Sequence, residues 1–200
     1  MKKTHKMRKI MLALFSAMLL VCVTVGATVA YLTSSDTVTN TFTVGNVVIT
    51  LDETDVDNST TNAERDKENS YKLLPGHAYT KDPIVHVAST SETCWLFVKV
   101  ENEIANIEDA TVNIADQMAT KGWALVAGTN NIYAYRSAVD AGADVSVFDT
   151  FKIAGNVDNT TLASYTGKTI KVTAYAVQKD GFNTAAEAWA ATFGAPAGNN

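Results

Sequence analysis

The chain is short of the residues that most enzyme chemistry draws on. Of its 200 residues, two are cysteine and three are histidine. Cys22 lies inside an apolar N-terminal run and Cys94 in the body. Once that run is removed, no intramolecular disulfide and no cysteine-based zinc site can form. Cys94 sits in TCWLFVKV, an apolar stretch in which a thiol acts as a small core hydrophobe. His5 belongs to the N-terminal run, which leaves His77 and His86 with Pro83 between them. That spacing is not HExxH, which needs two imidazoles one helical turn apart. No GxSxG elbow, P-loop or dinucleotide fingerprint occurs. No catalytic residue, metal ligand set or cofactor is therefore expected.

Basic residues are also scarce after residue 30. Five of the 16 Lys and Arg (Lys2, Lys3, Lys6, Arg8 and Lys9) precede it, leaving 11 against 21 Asp and Glu. Nucleic-acid binding rests on phosphate neutralisation, so a body this acidic excludes it. The same charge favours solubility and opposes nonspecific membrane adsorption.

The N-terminus has its own layout. MKKTHKMRK is basic, and IMLALFSAMLLVCVTVG is uncharged and apolar. Thr28-Val29-Ala30 then places small residues where a secretory signal is cut. Cleavage is expected between Ala30 and Tyr31. The run is nearly long enough to span a bilayer, but Tyr31-Leu32-Thr33-Ser34-Ser35 follows it without charge. Membrane contact is thus expected only through the uncleaved signal. Leu19-Leu20-Val21 before Cys22 is no lipobox, and LPGHAYT is no cell-wall sorting signal.

Residues 31–194 read as a single all-β domain, with 195–200 as a flexible tail. Val38, Asn40, Phe42 and Val44 fall on one face of an extended segment, with Thr39, Thr41 and Thr43 on the other. Gly45-Asn46 interrupts the alternation, which resumes at Val47, Ile49 and Leu51. Further strands are expected at 84–88, 94–101, 123–127, 131–136, 145–153 and 168–178. In the second, Cys94, Leu96, Val98 and Val100 share a face opposite Trp95 and Phe97. In the last, Ile170, Val172, Ala174 and Ala176 align. NIADQMATKG and TAAEAWAATFG read as helices, the second opened by a Thr184-x-x-Glu187 capping box. Short strands between turn residues predict an antiparallel sandwich.

Residues 52–70 are polar and charged and read as a long exposed loop. Asp52, Asp55 and Asp57 are its calcium candidates. The turn glycine and closing bidentate Glu of a calcium loop are missing, however. Trp95, Trp123 and Trp189 are candidates for a carbohydrate platform, but each lies in an apolar pattern that favours core packing.

Three stretches resemble the TasA/camelysin (CalY) family of Gram-positive secreted proteins. They are GATVAYLTSSDTVTNTFTVGNVVITLDE, LLPGHAYTKDPIVHVASTSETCWLFVKVENEI and VTAYAVQKDGFNTAAEAWAATFG. The resemblance implies a jelly-roll-like β-sandwich and export through a SipW-type signal peptidase. It also implies a place at the cell surface or in a biofilm matrix, with itself and matrix accessory proteins as partners. The expected function is that of a non-enzymatic fibre subunit assembling head to tail, with 31–44 as the donor strand. Val38, Asn40, Phe42 and Val44 would be its intersubunit contacts. The alternatives are a camelysin-like metallopeptidase and a ligand-binding surface adhesin.

Overall fold

A computed structural model describes residues 7–9, 11–16, 45–59 and 64–194. The chain divides into two units, Met1–Thr43 and Val44–Asn200. In the first, residues 7–9 and 11–16 are helical and expose Met7, Met11, Leu12, Leu14 and Phe15. No helix among the described residues is long and apolar enough to cross a membrane. Ala30, Tyr31, the 31–44 segment and the 195–200 tail lie outside the described residues.

The second unit is all-β, with antiparallel pairing throughout its strands and a few short helices. Its first sheet runs β2-β1-β4-β8, comprising Arg65–Asp66, Ile49–Thr54, Ile84–Val87 and Asp144–Ser146. The second runs β10-β5-β7-β6, comprising Ile170–Gln178, Cys94–Asn102, Ile132–Tyr135 and Trp123–Leu125. A two-stranded piece pairs β3, Ala78–Thr80, with β9, Thr150–Lys152.

Period-2 alternation sorts the side chains, because successive residues of a strand point to opposite faces. Val85 and Val87 of β4 meet Leu96, Val98 and Val100 of β5 in one core, with Phe148, Phe151 and Ile153 beside them. Burying each such side chain contributes about 1.5–3 kcal/mol. The opposite face of β5 sends Trp95 and Phe97 into a second cluster with Val177 and Trp189. The expected two faces of β5 and the inward row of β10 are both observed.

Both expected helices form. The first, α1 (Ile114–Lys121), is capped by the Asn113 side chain accepting from the Asp116 N–H. It stops at Gly122, whose φ of 96° is left-handed and suits only a residue without Cβ. After a short helix α2 (Asn159–Ala163), opened by Asp158 and not anticipated, comes α3 (Ala185–Phe193). Thr184 and Glu187 form its capping box.

Two expectations change. The strand expected over 145–153 is split into β8 and β9. Val147 and Phe148 between them are fully buried, and the Val147 N–H donates to the Pro83 carbonyl at 2.9 Å. The chain turns there to leave β4 and join β3. The 52–70 stretch is not a plain exposed loop either. Its start extends β1, and Arg65 and Asp66 return as β2 to pair with Thr54 and Glu53.

Candidate functional site

Cross-strand partners share a sheet face, so the register of the first sheet arranges its charges. Thr50 stands opposite His86, and His86 opposite Asp144. Two residues on from Thr50, Asp52 joins the same outer face, followed by Thr54 opposite Arg65. The result is a polar band across four strands. Arg65 uses all its donors in it. Nε donates to Asp52, Nη1 to Thr54 Oγ1 and Asp82 Oδ2, and Nη2 to the backbone carbonyls of Asp52 and Asp82. A guanidinium presents its donors in a fixed fork, so this arrangement locks β2 onto β1. Burial raises the Asp82 carboxyl, but hydrogen bonds from Thr54 and Arg65 outweigh it and hold the group below its ordinary range.

His86 sits between two carboxylates. Nδ1 lies 2.6 Å from Asp144 Oδ1 and Nε2 lies 3.2 Å from Asp52 Oδ1. A neutral imidazole can donate from only one nitrogen, so this setting favours the imidazolium. Partial burial lowers its pKa, but the bonds to Asp144 and Asp52 outweigh that and raise it. His77 lies elsewhere, its ring 4.6 Å from that of Tyr79 beside β3. The two histidines thus belong to separate side-chain clusters.

Among the described residues, one group of acidic, histidine or cysteine side chains has metal-ligand spacing. In it, oxygens of Asp55, Asp57 and Asp66 lie within 4.8 Å of one another. Asp55 and Asp57 were calcium candidates from the sequence. Asp52 is not part of the group, since it faces Arg65 and His86. Asp66 takes its place, carried in by the pairing of β2 with β1 that the sequence pattern does not announce. The three carboxylates accept bonds from Ser59 in the turn and from Ser70 beyond β2. Ser59 N–H donates to Asp55 and Asp57, Ser59 Oγ donates to Asp66, and Ser70 N–H donates to Asp57 at 2.6 Å. The Ser70 bond, then that of Ser59, draws the Asp57 carboxyl below its usual range. An all-oxygen set of this kind suits a hard cation such as calcium.

Inward from the band, Glu53 follows Ile49 and Leu51 on the core face and is 5% exposed. Lys81 Nζ donates to its Oε2 at 2.7 Å, and Asn69 Nδ2 donates to its Oε1 at 3.0 Å. The sequence reading missed all three residues. A signal was present: Glu53 continues the apolar series Val47, Ile49, Leu51 at the same period.

The aromatic candidates do not form a platform. Trp123 is 2% exposed, and its Nε1 donates to the Ser146 carbonyl. Trp95 and Trp189 are buried in the cluster under α3. Cys94 is fully buried, and burial pushes its thiol up to about 11. Such a thiol carries almost no thiolate at neutral pH and is a poor nucleophile.

The last feature is an edge. β10 pairs along all nine of its residues with β5. The Lys179 N–H donates to the Thr93 carbonyl, and the Glu103 N–H to the Thr169 carbonyl. By antiparallel alternation, the odd residues of β10 face β5, and Val172, Ala174 and Ala176 turn their N–H and C=O groups outward. β1 comes close to β10, yet no backbone hydrogen bond joins them among the described residues. No protein-family model, curated protein or solved structure matches the chain.

Proposed function

We propose that this chain is a secreted structural subunit of an extracellular fibre or biofilm matrix. It would be a jelly-roll-like β-sandwich that polymerises by donating its N-terminal strand to a neighbour. The observation that carries this reading is the outward edge of β10. Val172, Ala174 and Ala176 present a run of backbone donors and acceptors that no described strand pairs with, although β1 comes near. The strand has no proline to blunt the edge, and its one lysine, Lys171, is exposed but stands at a position paired with β5. Natural proteins that stay monomeric protect such edges. An extended segment added here gains main-chain hydrogen bonds, and side chains of one parity set its specificity. Residues 31–44 suit the role of donor: they contain neither Pro nor Gly, and Val38, Phe42 and Val44 recur at period two. A head-to-tail contact of this kind does not close on itself, so it yields filaments. Export would run through a SipW-like signal peptidase, which frees the donor.

The test is electron microscopy and light scattering on the chain beginning at Tyr31. Ala174→Pro removes an outward N–H without touching the ladder to β5, a position where an edge strand tolerates proline. It should leave a folded monomer that does not polymerise. Phe42→Asp should do the same, because a carboxylate cannot enter the apolar slot that an aromatic fills for about 1.5–3 kcal/mol. If both variants still form normal filaments, strand donation to this edge is wrong. If Phe42→Asp unfolds the monomer, the segment belongs to its own subunit.

A further inference from the structure

Glu53 is a carboxylate on the core face of β1, and two different groups meet it there. The Lys81 ammonium donates to Oε2 at 2.7 Å, with its side chain 11% exposed. The Asn69 carboxamide donates from Nδ2 to Oε1 at 3.0 Å. An ion pair alone would need no carboxamide. The orientation of that carboxamide is fixed independently of Glu53. Nδ2 also donates to the Thr54 carbonyl at 2.9 Å, and Oδ1 accepts the Val56 N–H at 2.8 Å. A backbone donor thus stands at the oxygen where negative charge would gather if Cγ were attacked. Tyr71 is close enough for the Glu53 charge to be felt: burial first, then that carboxylate, pushes its hydroxyl pKa upward.

We propose that Lys81 and Asn69 become joined by an intramolecular isopeptide bond, with Glu53 as the proton carrier. One proton passes from Lys81 Nζ to Glu53 Oε2, which removes both charges from the interior. The freed Nζ lone pair attacks Asn69 Cγ, and the carbonyl electron pair moves onto Oδ1 beside the Val56 N–H. Glu53 gives its proton to Nδ2 and takes one back from Nζ. The carbonyl re-forms, the Cγ–Nδ2 bond breaks and ammonia leaves. Glu53 then returns its proton to the ammonia and ends ionised. No oxidant or cofactor enters the balance. Holding amine and carboxamide on one carboxylate supplies the proximity, and that carboxylate supplies the general acid and base. The bond ties the segment after β2 to the end of β3 and is independent of whether the chain polymerises.

Mass spectrometry of the folded, secreted protein decides it. The expected chain is lighter by one ammonia, and its tryptic map holds peptide 68–72 branched through Lys81 onto 73–99. Linear peptides 68–72 and 73–81 at full yield from folded protein would overturn the proposal. So would loss of ammonia without the branch, which is the mark of a succinimide. Glu53→Gln keeps the shape but cannot carry the proton, so it should restore the full mass. Should that variant fail to fold, Asn69→Ala gives the same reading. A branch at Lys81 persisting in Asn69→Ala would also overturn the assignment.

Discussion

His86 links β4 to β8 through Asp144 and to β1 through Asp52, which Arg65 holds from the other side. Its folded-state pKa is raised. The stabilisation from its charge is therefore fully present below the unfolded value of about 6.5 and lost as pH rises through the folded value. Asp144 is largely exposed, so solvent screens part of the effect. His86→Gln should lower stability by about 1 kcal/mol or less at about pH 5.5, and by almost nothing at about pH 9. Urea unfolding at the two pH values measures the difference. An equal loss at both would assign the effect to packing rather than charge.

At the scale of elements, α3 is the lid of the second core. Trp189 lies 5.1 Å from the Phe97 ring and 5.9 Å from Tyr175, and Phe193 of the same helix lies 5.4 Å from Tyr175. The capping box at Thr184 starts the helix, but these contacts hold it to the sheet. Isolated helices of nine residues are marginal in water. Trp189→Ala should destabilise the chain by roughly 3–5 kcal/mol and change the near-ultraviolet circular dichroism. A loss under about 1 kcal/mol would mean that α3 frays from the sheet without consequence. The hairpin of β1 and β2 works differently. Its β2 half carries no apolar side chain, and Arg65 does the locking through its five donors.

For the molecule as a whole, the division of charge is the main organising feature. All five basic residues of the first 30 precede the apolar run, and the acids all follow it. That asymmetry is the one the proposed signal peptide requires. Secreted protein should begin at Tyr31, as N-terminal sequencing would read. A chain that still begins at Met1 should fail to form filaments, because the proposed donor segment would stay tethered. Filaments from the uncleaved chain would contradict the proposed order of events.

The sequence by itself determined the class of fold, the helices α1 and α3, and the two faces of β5 and β10. These are local: period-2 and capping signals act between residues a few positions apart. It also placed Trp95, Trp123, Trp189 and Cys94 in apolar patterns, where the structure buries them. Tertiary structure alone decided the 52–70 stretch. Arg65 and Asp66 read as solvated charge until their pairing with Thr54 and Glu53 is known. Asn69 and Lys81 then reach partners 13 to 28 positions away in β1 and its continuation. It also broke the 145–153 strand, since an alternation such as Val145, Val147, Phe151 and Ile153 reads alike whether the chain stays in one sheet or crosses to another. Polar side chains carry no periodic signal for their partners. Where each one points is set by strand register, and register is fixed only when the sheets close on their core.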